Sequence, residues 1–263
     1  MIDRIGGRRT MIGSLALFTV AATAAGAAPT FASLTRSIPA AAPTPCHTST
    51  RGRAVSDSTC TSNAKFWLLT GGFFVCGFHV AFVGGHLPAY ISDKGIGLSL
   101  FGIKLTPAEL GGWAIGMVGL FNIVGAVLWS SMGAKYQRKN LLSLLYLLRS
   151  LVFLGFVVSP LSAASVLIFA GALGFLWLGT VPLTTALVGY IFGPVHLTML
   201  NGIVFFSHQT GSFFGGWGGG RVFDLQGNYD LMWWISIALG LASAALHWPI
   251  VEKPVARPAL AAA

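Results

Sequence analysis

The stretch FWLLTGGFFVCGFHVAFVGGHLPAYI, residues 66–91, contains no Asp, Glu, Lys or Arg. Coiled as a helix it would extend about 39 Å, enough to cross a hydrocarbon core of about 30 Å with some tilt. Similar runs follow it: Ala108 to Met132, Leu141 to Val158, a fourth that starts directly after Pro160 and Ser162 and continues to Ile191, Leu197 to Val222, and Leu231 to Ile250. Charged residues are only 9% of the chain and apolar ones 54%, and the basic residues gather in the short breaks between runs. A water-soluble domain has near a quarter of its residues charged, so a soluble fold is excluded and the expected partner of the chain is the lipid bilayer.

The net charge of +9 would suggest nucleic acid as a partner in a soluble protein. Basic residues beside apolar spans instead follow the positive-inside bias, and no aromatic and basic platform for single strands is present, so no nucleic-acid partner is expected. Cys46, Cys60 and Cys76 follow no metal-ligand spacing, and neither a metal nor a cofactor is expected. A Cys46 to Cys60 disulfide requires an oxidising compartment, which the topology below disfavours.

Local signals support the span assignments. Thr106, Pro107, Ala108 and Glu109 form a capping box with Pro at the first helical position. Gly211, Gly215 and Gly219, preceded by Gly202, place small residues on one face of the fifth run, where another helix can come close. Pro182 predicts a kink in the fourth run, and Asp230 a cap for the sixth. Trp67, Trp113, Trp233, Trp234 and Trp248 fall near run ends and read as interface anchors. Lys135, Arg138 and Lys139 occupy the link after the second run while the link after the third is uncharged, which puts the basic link in the cytoplasm. Counting from there, the His196 loop and the tail with Lys253 and Arg257 are cytoplasmic too, and the Lys94 and Asp224 loops are outside. The domain reading is an N-terminal segment over residues 1–34, a Pro, Ala, Ser and Thr-rich flexible linker over 35–64, a six-span unit over 65–252 and a polar tail over 253–263.

Six spans, a basic link after the second, and a glycine-rich fifth span ending Gly-Gly-Gly-Arg-Val-Phe-Asp224 together resemble the C-terminal half of a major facilitator superfamily transporter over roughly Asn63 to Glu252. The link Gly133-Ala-Lys135-Tyr-Gln-Arg138-Lys139 resembles a reduced form of that family's Asp/Arg-rich motif, with its acidic member missing. The resemblance implies an all-α membrane protein: a six-helix major-facilitator-type bundle of two inverted three-helix repeats, 66–158 and 163–250, plus one N-terminal apolar helix. It also implies that the first and second helices of each triplet line the cavity and the third lies outside against lipid. A bacterial inner membrane is the expected location.

At the N-terminus Asp3, Arg4, Arg8 and Arg9 look like the fuller version of the same motif, followed by an Ala-rich apolar run to Leu34. That resembles the third span of a first half, so the chain reads as a truncated and internally deleted carrier. Basic residues flank this run on both sides, which one crossing cannot satisfy. The alternatives are a poor span, a re-entrant one, or removal, since Arg8-Arg9, the run from Met11 to Ala22 and Ala25, Gly26 and Ala27 also resemble a cleavable secretory signal.

Six residues are candidates for substrate or ion coupling. Arg149 is the only charge deep in any run; it reads either as an anion or proton-coupling partner or as a stem snorkelling toward the cytoplasmic interface. His79 and His86, seven apart on one helical face, are too distant to share a metal easily; each reads as a proton relay or as an interhelical hydrogen bond. His208 and Gln209, mid-span in the fifth run, and Asn122 in the second are cavity candidates or interhelical glue. No nucleophile and base pair emerges, so enzyme chemistry is not expected. The functional expectation is secondary transport of a small organic solute, a carboxylate if Arg149 faces the cavity, with a partner half or a homodimer supplying the opposing wall. The alternative is a non-transporting remnant or accessory membrane subunit.

Overall fold

The computed structural model describes residues 63–100 and 103–254. The N-terminal apolar run, nearly all of the linker and most of the tail lie outside the described residues. Among those described, the chain forms α1 (Ala64–Asp93), a short antiparallel hairpin of β1 (Leu98–Leu100) and β2 (Ile103–Leu105), then α2 (Pro107–Lys135), α3 (Arg138–Val158), α4 (Ala163–Phe175), α5 (Thr180–Phe192), a 3-10 turn Pro194–His196, α6 (Leu197–Gln226) and α7 (Asp230–His247). Five helical segments are long and apolar enough to cross a membrane, with α4 and α5 together forming one of them. The chain is thus a mostly helical, multi-pass type of membrane protein. α6 is as long as α1, at 30 residues each, but Asn201, Ser207, His208, Gln209, Thr210 and Ser212 dilute its apolar character and it falls outside that group.

Most boundaries follow from local chemistry. Asn63 caps α1 by accepting from the backbone N–H of Lys65 (3.0 Å). The capping box at Thr106 and Glu109 is complete, with the Glu109 carboxylate accepting from Thr106 N at 2.8 Å. Ser162 and Ser165 form a second one at the start of α4, beyond what the sequence reading expects. Two expectations need correction here, and the link after the first span takes a form the sequence does not specify. α3 starts at Arg138, so Arg138 and Lys139 are in its first turn and not in a loop. Asp230 is the first residue of α7 and not its cap; Tyr229 is. The segment between the first two spans is a hairpin, entered through Gly95 at φ +65°.

The fourth span is broken. The sequence predicts a kink at Pro182, but the helix stops at Phe175 and resumes at Thr180, two 13-residue pieces with Pro182 in the first turn of the second. A first turn is where Pro costs nothing, because its missing N–H would have had no partner there. The proline therefore starts α5, and the break lies upstream of it.

Packing pairs α1 with α6, α4 with α2, and α3 with α7, while α1 and α5 lean on α7 and α3 respectively. Glycine makes the first two seams possible. A Cβ at Gly211 or Gly215 would overlap the carbonyl oxygen of Phe74 or Phe78, and one at Gly77 would overlap that of His208. On the other seam, Gly125 meets the carbonyl of Phe175, and a Cβ at Gly174 would lie 2.5 Å from that of Val118. The predicted small-residue face of the fifth run is the first of these contacts. Hydroxyls add hydrogen bonds along the same seam, Ser207 to Thr70 O at 3.0 Å and Ser212 to Gly77 O at 3.2 Å.

α3 and α7 do not simply lie outside. Tyr146, Arg149, Phe153, Ser236, Ser243 and His247 point inward and are fully buried, while Leu144, Leu151 and Leu241 face out. Trp233 is buried within a cluster of Phe82, Tyr90, Phe153, Phe156 and Phe169, so it is a core residue and not an interface anchor; Trp67, Trp113, Trp234 and Trp248 are exposed.

The seam is directly testable. Gly215→Val should abolish recovery of monodisperse protein in detergent, because the added carbons have only the α1 backbone to displace. Gly202→Ala, with nothing within 4 Å of the new methyl, should raise helix stability by up to about 1 kcal/mol. Size-exclusion profiles and thermal melts of the two variants distinguish these outcomes.

Candidate functional site

The break between α4 and α5 leaves backbone groups without helical partners in the interior of an apolar bundle, where each unpaired group costs roughly 1–3 kcal/mol. Leu176 N and Trp177 N turn back to Leu173 O and Gly174 O, and Val181 N reaches Leu178 O. Side chains from two other helices supply most of what remains. Trp129 Nε1 of α2 donates to Phe175 O at 3.2 Å, and Asn122 Oδ1, also of α2, accepts from Leu178 N at 3.0 Å. Arg149 Nη2 of α3 donates to Leu176 O at 2.6 Å and to Trp177 O at 2.8 Å.

Arg149 is 0% exposed. The snorkelling reading is thereby excluded. Its guanidinium lies where α4 presents the negative end of its dipole, and it sits over the Tyr146 ring at 5.3 Å from the centroid. Nη1 also donates to Cys76 Sγ of α1 at 3.7 Å, and that sulfur is 3.2 Å from Thr180 Oγ1 in the first turn of α5. His208 of α6 faces the same thiol. One cation on α3 thus touches α1 and the carbonyls that follow α4, and reaches the start of α5 through the Cys76 thiol. The described acids, Asp93, Glu109, Asp224, Asp230 and Glu252, all lie at helix ends or beyond them, so none of them neutralises it. An anion has no access to Arg149 from solvent in this arrangement, since the side chain is fully buried.

The other predicted residues divide by what they touch. Asn122 and His208 join Arg149 around the break. His79 is fully buried and its Nε2 donates to Ser236 O of α7 at 2.8 Å; His86 Nε2 donates to Gly216 O of α6 at 2.8 Å. Both therefore serve as interhelical hydrogen bonds to different helices. Gln209 is exposed on the outer face of α6, beside exposed Phe206 and Phe213. No group of three metal-binding side chains occurs among the described residues.

The basic motif has a structure of its own at the other end of α3. Arg138 Nη1 pairs with Glu252 Oε1 at 3.0 Å, both side chains nearly buried, and Lys139 N donates to Glu252 Oε2 at 3.2 Å. Gln137 provides no side-chain cap, so the Glu252 carboxylate, from beyond the last helix, caps α3 at the positive end of its dipole. The acidic partner of this basic link thus comes from 113 residues away in sequence. Lys139 Nζ adds a bond to Trp248 O at 3.2 Å, whereas Lys135 is exposed. Asp3, Arg4, Arg8 and Arg9 lie outside the described residues. Sequence reasoning missed Trp129, Thr180, Cys76 and Glu252, and only Glu252, a lone acid against a basic tail, carried any local signal.

No protein-family model matches the chain, and no curated protein matches it either.

Two variants probe the geometry. Asn122→Leu removes the side-chain acceptor of Leu178 N and should lower stability by roughly 1–3 kcal/mol with the helical content unchanged, read by thermal melts and circular dichroism. Glu252→Gln should weaken the clamp on α3, because a neutral amide replaces a charge-assisted pair; trypsin cleavage after Arg138 and Lys139 should accelerate in detergent.

Proposed function

We propose that this chain is a carrier-type membrane protein that moves a small organic solute by alternating access, built as two three-helix repeats of inverted topology. The observation that carries this reading is the discontinuous fourth span, whose break is held by side chains of two other helices near the middle of each. Discontinuous spans with polar groups gathered at the break are a recurring design of secondary transporters, which bind and couple at such points.

The helix pairing is what two related triplets would produce. Exchanging α1, α2 and α3 for the fourth span, α6 and α7 turns the α1–α6 seam into the α2–α4 seam and leaves α3–α7 unchanged. Both seams rely on glycine against carbonyl. Three crossings per triplet invert the second relative to the first. The expected carboxylate preference rested on Arg149, and with that side chain fully buried and its Nη2 held by two carbonyls the solute is better described only as small and organic. The opposing wall of a cavity would come from a partner half or a second copy of the chain. Exposed Gln209, with Phe206, Phe213 and Trp217 on the same helix, gives α6 a mixed polar and aromatic face suited to that wall.

Purified protein in liposomes should take up one member of a panel of organic acids, sugars and amino acids with saturation, several-fold above empty vesicles. Trp129→Phe, which removes the donor to Phe175 O at the end of α4, should slow that uptake while the fold persists. A panel without any saturable solute would refute the carrier reading, and an unchanged rate in Trp129→Phe would remove the break from the mechanism.

A further inference from the structure

Two consecutive carbonyls at the end of a half-helix, aimed at one point inside an apolar bundle, form a cation site by their chemistry. Dipole and lone pairs both present negative potential there. In this chain that point is filled by Arg149: Leu176 O and Trp177 O accept from the same nitrogen at 2.6 and 2.8 Å. Thr180 Oγ1 begins the second half-helix and is linked through Cys76 Sγ to the same guanidinium. None of the described carboxylates reaches the group, so the oxygen set is neutral. A neutral set suits a monovalent cation, while divalent ions take carboxylates. Unwound carbonyls and half-helix C-termini are where carriers place a dissolved coupling ion.

We propose that Arg149 is a tethered cation occupying a latent monovalent-cation site made by Leu176 O and Trp177 O, with the Thr180 hydroxyl linked to it through the Cys76 sulfur. The break is thereby held by a covalently attached charge and needs no dissolved ion. The consequence for coupling rests on the carrier reading: the solute would move without sodium or potassium bound at this break. The site itself stands on the geometry alone, and its test does not use transport. A guanidinium with two bonds to carbonyls, a ring face and a thiol is fixed in orientation, so losing it vacates the site and leaves two orphaned carbonyls. A small cation entering from solution would meet them in the same place.

The experiment compares wild type, Arg149→Lys and Arg149→Ala, each purified in detergent with sodium, potassium, choline or millimolar guanidinium chloride at equal ionic strength. Thermal melting and monodisperse yield are the readouts. Wild type should melt at the same temperature in all four salts. Arg149→Lys keeps a tethered charge and should also be indifferent to the salt. Arg149→Ala should melt lower in choline, by about 5 °C or more, and recover at least half of that loss in sodium, potassium or guanidinium. Choline is too large to enter and serves as the blank. Equal behaviour of Arg149→Ala in every salt overturns the proposal, as does failure to recover folded Arg149→Ala in any of them. Sodium stabilisation of wild type as large as that of Arg149→Ala overturns it too. If uptake fails and the salt rescue succeeds, the site stands without the carrier.

Discussion

A buried guanidinium and a broken helix each cost several kcal/mol in an apolar interior, and here each offsets the other. Arg149 has no acidic partner among the described residues, and Leu176 and Trp177 have no helical donors for their carbonyls. Brought together, a charge meets the negative end of a helix dipole and two orphaned acceptors gain donors. The rest of the bundle is arranged around that exchange. α3 must present residue 149 at the level of the break, and α2 must bring Asn122 and Trp129 to the remaining backbone groups. Straightening the fourth span would strand Arg149, and removing Arg149 would strand the break.

The glycine seams solve a different problem. Between apolar helices in lipid there is no hydrophobic drive to associate, so attraction depends on close approach and on weak interhelical bonds of about 0.6 kcal/mol on average. Gly77, Gly211 and Gly215 bring backbone onto backbone between α1 and α6, and Gly125 and Gly174 do so between α2 and α4. The α1–α6 seam also carries the Ser207, Ser212 and His86 hydrogen bonds at 2.8 to 3.2 Å, and the Arg149 junction adds a charged donor at 2.6 to 2.8 Å from its acceptors. The bundle therefore combines close backbone contact along its length with a charge-assisted anchor near its centre.

How much of this was legible in the sequence depended on whether the cause was local. Apolar runs, the Thr106 and Glu109 box and the spacing of Gly211, Gly215 and Gly219 are read over a few residues, and the helices and their closest seam follow from them. Arg149 also stood out, because a charge in an apolar run is visible alone. Its partners were not visible: they are backbone carbonyls, which every residue has, exposed by a helix end that no Gly or Pro marks at the right position. Pro182 announced an irregularity but displaced it, since a proline favours the start of the next helix over the end of the previous one. Glu252 escaped because its role depends on a contact across 114 residues. His79 and His86 share a face by spacing, yet they bond to different helices, α7 and α6.

α1 and the fourth span each cover 30 residues, yet only the fourth span is divided. α1 runs unbroken through its middle, despite Gly71, Gly72 and Gly77, because those glycines receive neighbouring helices and leave the backbone ladder intact. Its Cys76 lies opposite the break and touches both Arg149 and Thr180. A rigid helix thus backs a divided one at the level of the only charge buried at mid-span among the described residues. Through Cys76 Sγ and the Arg149 guanidinium, directional bonds join α1, α3, the end of α4 and the start of α5 at this one level.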